Sequence, residues 1–319
     1  MQRLSLTTPI PEAVRGAILA LGNFDGFHLG HQAVVGRAVQ RGFHERRPVI
    51  VATFDPHPVR LFKPEVPPFR LTSLDQRERL FAGAGADAML VFEFTRELAA
   101  TSAEDFVDML VSKLGAGGIV TGDDFTFGKG RAGNVALLAD LAARHGVAAE
   151  AVAPVSARER RVSSGFIREA LAAGNLATAT ALLTRPFAVE GVVEHGDKRG
   201  RELGYPTANV SLGDYQRPKY GVYAVRVRLD DGRELPGVAN LGVRPTFDPP
   251  KELLEAFVFD FDEDLYGRTI EIALHHYLRE ERKFDDIEAL SRQMRADEAR
   301  GRTLLDIPPG ASTGRSPSS

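Results

Sequence analysis

Short apolar runs of strand length alternate with stretches of helical spacing through the first half of the chain, and few architectures can absorb such a pattern. AILALGNF at 17–24 ends in a glycine-rich turn and leads into GFHLGHQAVVGRAVQRG. PVIVATF at 48–54 precedes LDQRERLFAGAG, AMLVFEF at 88–94 precedes SAEDFVDMLVSKLG, and GGIVTG precedes NVALLADLAARHG. Strands this uniformly apolar need cover on both faces, which intervening helices supply. The pattern predicts a doubly wound α/β domain with a mostly parallel, Rossmann-like sheet.

The text changes near LLTRPF at 182–187, where Gly, Pro, Tyr and β-branched residues replace Ala-rich helices. FAVEGVVEHG, YGVYAVRVRLDDG, ELPGVANLG, LLEAFVFDF and RTIEIALHHYL read as antiparallel strands, with DDG at 230–232 as a hairpin turn. They predict a small antiparallel barrel, and FDDIEALSRQMRADEARGRTLL predicts a helix packed on it. The last stretch, DIPPGASTGRSPSS, has too little apolar surface to offset its ordering entropy. The expected division is an α/β domain at 1–184, a barrel domain at 185–305 and a disordered tail at 306–319, and 319 residues suffice for two cores.

Composition removes several functions. Forty Lys and Arg against 43 Asp and Glu leave a net charge of -3, without global attraction to nucleic acid or anionic lipid. The absence of Cys excludes disulfides, thiolate metal sites and cysteine nucleophiles. No run approaches the ~20 apolar residues of a membrane span, and the start MQRLSLTTPIPEAVRG lacks the apolar core of a secretory signal. A cytoplasmic protein with no nucleic-acid or membrane partner is expected.

Residues 22–31, GNFDGFHLGH, set Gly22, Asn23, Gly26 and Gly30 around a strand-to-helix turn, with His28 and His31 at the helix start. Glycines let backbone N–H groups approach a phosphate, the helix N-terminus adds partial positive charge, and imidazoles can donate to developing phosphate charge. A plain βα turn with exposed histidines would read the same way, and a His pair three apart could bind metal, although no third ligand stands nearby. Taken whole, the segment resembles the H-x-G-H signature of the nucleotidyltransferase superfamily. Its second element, S-S/T-T-x-I-R, has a counterpart in RVSSGFIREAL at 161–171. The resemblance implies that His28 and His31 contact the triphosphate, that Ser163 and Ser164 hold phosphates, and that Arg168 neutralises charge. Gly165 stands where that pattern usually has Thr, a loss of ~1 kcal/mol if no other donor substitutes.

A second constellation lies in GVVEHGDKRGRELGYPTANV, where Gly191, Gly196, Gly200 and Gly204 alternate with Lys198, Arg199 and Arg201 ahead of Pro-Thr-Ala-Asn. This suits polyphosphate, though a turn-rich basic loop is the plain alternative. On a strand Thr207 and Asn209 share a face, so both oxygens can reach one cation. Neutral ligands suit Mg²⁺ when substrate phosphates bring the negative charge. Glu255 shares strand parity with Phe257, Phe259 and Phe261, which predicts an inward aromatic face, where burial would favour a general base. Asp260, Asp262 and Asp264 resemble a calcium loop, but Leu265 stands at its obligatory glycine.

Nearly the whole chain resembles the prokaryotic bifunctional riboflavin kinase/FMN adenylyltransferase family, also called FAD synthetase. TFDPHP at 53–58, RLTSLDQR at 70–77, TGDDFTFGKGRAG at 121–133, RPFAVEG at 185–191, ANLGVRPTF at 239–247, DLYG at 264–267 and YLREERKFDDIEAL at 277–290 carry it in order. The resemblance implies ATP-dependent phosphorylation of riboflavin to FMN by the barrel and adenylylation of FMN to FAD, with release of pyrophosphate, by the first domain. It makes Glu255 the kinase base and Thr207 and Asn209 its Mg²⁺ ligands, with the glycine-rich loop over the ATP phosphates. It places Phe54, Asp124, Phe125, Arg161 and Arg279 near flavin and nucleotide. The substrates are riboflavin, FMN and ATP, and no obligate protein partner is implied. Two alternatives stay open: a riboflavin kinase whose first domain only binds flavin or nucleotide, for which Gly165 speaks, and an unrelated nucleotidyltransferase fused to a β-domain.

Overall fold

The computed structural model describes residues 1–157, 159–195, 205–244, 251–284 and 286–308. The chain packs as two compact units, Met1–Pro67 with Thr72–Ser164, and Pro68–Leu71 with Gly165–Ser319. The elements of the first are β1 (Gln2–Ser5), β2 (Ile18–Leu21), α1 (Leu29–Glu45), β3 (Val49–Asp55), α2 (Pro58–Phe62), α3 (Leu74–Gly83), β4 (Ala88–Glu93), α4 (Arg96–Ala100), α5 (Ala103–Asp108), β5 (Gly118–Gly122), α6 (Val135–Arg144), β6 (Ala148–Val152) and the short pair β7 (Ser156–Ala157) and β8 (Arg160–Arg161). Then follow α7 (Ser164–Ala172), α8 (Leu176–Leu183), β9 (Phe187–Val192), β10 (Thr207–Ser211), β11 (Gly221–Arg228), β12 (Glu234–Arg244), β13 (Lys251–Val258), β14 (Thr269–Arg279) and α9 (Ile287–Leu304).

The first unit holds a parallel six-stranded sheet in the order β1-β4-β3-β2-β5-β6. Alternate residues of one strand enter two separate cores: Leu19, Leu21, Ile50 and Ala52 join Phe92 and Phe106, while Ile18, Ala20, Val49 and Val51 join Phe24, Phe27 and Phe81. Both faces are therefore buried, as the uninterrupted apolar strands require. After β2 the chain moves to β3 and β4 on one side, then returns to β5 on the other. Such a reversal opens a crevice at the carboxyl ends of the central strands, here β2 and β5. The edge strands β1 and β6 are absent from the sequence reading, because they are short and half-solvated and so leave no apolar run. SAEDFVDMLVSKLG, read as one helix, is α5 followed by a π-helical turn at Met109–Lys113.

The second unit holds an antiparallel six-stranded sheet in the order β10-β13-β12-β11-β14-β9. It curls into a half-barrel until its edges meet, where Glu194 N–H donates to Asn209 O at 2.8 Å. The curve's inside carries Phe187, Val189, Val210, Tyr223, Val225, Leu254 and Ile272, all buried. Residues of opposite parity, Val222, Ala224 and Phe259, lie with Leu305 beyond the end of α9. The DDG hairpin forms as read, with Leu229 N–H donating to Arg233 O and Gly232 at φ 89°.

Candidate active sites

The turn between β2 and α1 is held in a conformation that few residues adopt. Phe24 (φ 49°), Gly26 (φ 87°) and Phe27 (φ 43°) are all left-handed, a costly choice for two aromatic residues that persists only when the surroundings over-determine it. Both rings pack edge-on against Phe81 of α3, with centroids 5.7 and 5.2 Å away. The turn delivers His28, 5% exposed, as the N-cap of α1, where its Nδ1 accepts from His31 N–H at 3.3 Å. Because Nδ1 accepts, the ring proton sits on Nε2, a donor suited to phosphate oxygen. The His31 ring stacks on His28 at 3.6 Å. Gly30 gives the stack room, since a Cβ there would crowd His28 Cε1 at 3.2 Å. Asn23 is exposed and its carbonyl accepts from Thr53, while Gly22 N–H donates to Ala52 O.

Ser163 and Ser164 lie at the start of α7. Ser164 Oγ donates to Asp25 O at 2.9 Å, so this hydroxyl braces the histidine turn. Arg168, in the second unit, donates from Nε to Phe69 O at 2.7 Å and stacks over the Phe69 ring. Gly165 is the exposed second residue of α7.

The carboxyl ends of β3 and β5 supply an aromatic wall. Phe54 stacks on Phe92 at 5.2 Å and meets Phe94 edge-on, and Phe125 stacks on Phe127 at 5.7 Å. Phe54 and Phe125 pack into one cluster. Arg161 pairs with Asp124 at 2.9 Å and Asp123 at 3.2 Å. Phe62, 67% exposed, leans on Phe94 and extends the wall. Nothing in the sequence marks Phe62 and Phe94, because an aromatic in an amphipathic run carries no signal of exposure.

In the barrel the cross-strand register assembles the second constellation. Asn209 lies opposite Glu255, Glu255 opposite Asn240, and Thr207 opposite Phe257. Directly opposed residues share a face, so hydroxyl, amide and carboxylate oxygens line one surface. Asn209 is buried, and its Nδ2 lies 3.5 Å from Thr207 O. The inward placement expected for Glu255 is corrected: Leu254 and Ala256 point into the barrel, whereas Glu255 is half-buried on the opposite face with Phe257. Phe257 meets Tyr205 at 4.7 Å, and burial, followed by the nearby Glu298 charge, holds the Tyr205 phenol above its usual pKa.

Asn240 Nδ2 donates to Glu281 at 3.0 Å, and its buried Oδ1 has no hydrogen-bond partner among the described residues. Neither Asn240 nor Glu281 stands out as a site residue in the sequence. Arg279 forks onto Asp297 of α9, with nitrogen–oxygen distances of 2.7 to 3.1 Å. Gly191 lies within β9, where a Cβ would stand 2.7 Å from Val210. Gly196, Lys198, Gly200, Arg201 and Gly204 lie outside the described residues. Among the described residues no group of three or more His, Asp or Glu could hold a metal ion, and no helix is long and apolar enough to cross a membrane.

One unit with a Rossmann-like sheet and a histidine-capped turn, and a second with a barrel and an oxygen-rich strand face, are the marks of a two-unit nucleotide-using transferase. The FAD synthetase family model matches residues 10–166, and the riboflavin kinase model matches residues 183–305. The bifunctional riboflavin kinase/FMN adenylyltransferase of Escherichia coli K12 is 41% identical over 293 residues, covering 92% of this chain and 94% of its own. That of Bacillus subtilis is 36% identical over 306 residues, covering 93% and 96%. A crystal structure described as a macrolide-efflux protein from Streptococcus pneumoniae shares the fold, with a TM-score of 0.84, 30% identity and coverage of 95% of this chain and 99% of that one. The chain belongs to the bifunctional riboflavin kinase/FMN adenylyltransferase family.

Proposed function

We propose that the two activities fall to the two ends of the chain, with residues 185–305 phosphorylating riboflavin and residues 1–184 joining the resulting FMN to AMP. Each region carrying its own candidate site supports this: His28 caps α1 in the first, and Glu255 stands opposite Asn209 in the second. In the kinase step Glu255 takes the proton of the ribityl 5′-hydroxyl as its oxygen attacks the γ-phosphorus of ATP, and ADP leaves. Thr207, Asn209 and Glu255 present only hard oxygen donors, a set that fits Mg²⁺, with Thr207 and Asn209 as its ligands. When bound, the ion neutralises phosphate charge.

In the second step a phosphate oxygen of FMN attacks the α-phosphorus of ATP, the α–β bridging bond breaks, and pyrophosphate departs. FMN phosphate is anionic at neutral pH, so the step needs no strong base. It needs donors aimed at developing phosphate charge: His28 through Nε2–H, His31 and the backbone of the turn. Phe125 and Phe62 offer faces for the isoalloxazine ring, with Phe54, 8% exposed, packed in the cluster behind them and Asp124 and Arg161 at the ring's polar edge. Arg279, locked onto Asp297, holds the barrel wall at the riboflavin site. Both reactions consume ATP, which suits the cytoplasm, and neither requires a second chain. Incubation with riboflavin, ATP and Mg²⁺, resolving FMN from FAD, tests the reading: both products are expected, and FMN alone would restrict the chain to kinase activity.

A further inference from the structure

Beneath the histidine turn lies a charged pair that the chemistry above does not use. Arg77 and Asp25 are each 2% exposed and meet at 3.3 Å. A serine–glutamine capping box at Ser73 and Gln76 secures the start of α3 and so places Arg77 one turn inside it. Its guanidinium donates to Asp25 Oδ1, to Thr72 Oγ1 at 3.3 Å and to Thr53 Oγ1 at 3.1 Å. Each of these groups holds the turn in its own way. Thr53 Oγ1 donates to Asn23 O at 2.7 Å, and Thr72 Oγ1 accepts from Gly26 N–H at 2.9 Å. Asp25 accepts from Thr72 N–H at 3.1 Å, while its backbone carbonyl receives Ser164 Oγ.

Taking two charges out of water is costly, and apolar side chains of similar volume would stabilise such a place as well. What a planar fork of donors adds is geometry, because it fixes three acceptors at once where an ammonium acts as a point charge. The turn needs such fixing, since Phe24, Gly26 and Phe27 all hold positive φ.

We propose that the buried Arg77–Asp25 pair is a positioning device for adenylyl transfer. It locks the strained turn so that His28 at its end and Ser164 against its carbonyl keep the register that the reacting phosphates require. Arg77 and Asp25 act through the turn and touch neither substrate. The inference rests on the assignment of adenylyl transfer to this turn.

The test uses the full-length chain carrying Arg77→Lys, and in parallel the double variant Asp25→Asn with Arg77→Met, which removes both charges together. The expected result is a cooperative unfolding transition in both. The kcat of FAD formation from supplied FMN falls at least tenfold, KM for FMN stays within threefold, and FMN formation from riboflavin stays within twofold of the unsubstituted chain. Arg77→Lys should retain more activity than the double variant. A folded variant with kcat within twofold overturns the proposal, and so does loss of folding in both, which would make the pair a scaffold without separable action on the turn. His28→Ala is measured alongside: if it leaves FAD formation intact, the assignment of the turn itself has failed, whatever Arg77 does.

Discussion

The proposed function gives His28 two duties, and they can be separated. Its Nδ1 caps α1 by accepting from His31 N–H, and in the proposed step its Nε2–H donates to phosphate. His28→Ala should lower FAD formation about 100-fold and destabilise the fold by about 1 kcal/mol through loss of the cap. His28→Asn restores a cap acceptor, so thermal unfolding should recover while FAD formation stays low. Recovery of both would mean that capping is the only duty. The H-x-G-H spacing was legible in the sequence; the tautomer was not, because it depends on a hydrogen bond that exists only once the helix has formed. Gly165 gives a second case. It is exposed in the first turn of α7, where a threonine offers an added hydroxyl. Gly165→Thr should leave the rate of FAD formation equal or raised, and a tenfold drop would show that the site needs glycine there.

Two helices decide how well the site-bearing segments are held. Helix α3 presents Phe81, fully buried, to Phe24 and Phe27, and one turn earlier presents Arg77 to Asp25. Its sequence reads simply as an amphipathic helix; its service to a turn some fifty residues earlier becomes visible only in three dimensions. Helix α9 reaches the barrel through Gly301, where a Cβ would stand 2.8 Å from Val238 and 3.3 Å from the Phe259 ring. The Arg302 guanidinium lies over that ring at 4.5 Å and forks onto Asp260 at 2.9 and 3.0 Å. Gly301→Leu should force the helix outward and destabilise the fold by about 1–3 kcal/mol, measured as a lower denaturation midpoint. An unchanged midpoint would show that the helix docks without this close approach.

Across the whole molecule, the two chemistries should fail independently. Glu255→Gln keeps the shape of the side chain and removes its basicity. It should cut FMN formation by about 10² to 10⁴-fold while FAD formation from supplied FMN continues, and a parallel loss of FAD formation would contradict separate sites. Much of this division could be read in one dimension. Strand and helix periodicities are local properties of a few residues, and the glycine, histidine and Pro-Thr-Ala-Asn motifs are short. Contacts between distant residues settled the rest: the strand order that places the turns after β2 and β5 side by side, the meeting of β9 with β10, and the burial of Arg77. They also turned Glu255 to the outer face of the curved sheet, since parity says which residues share a face and only closure of the sheet says which face lies inside.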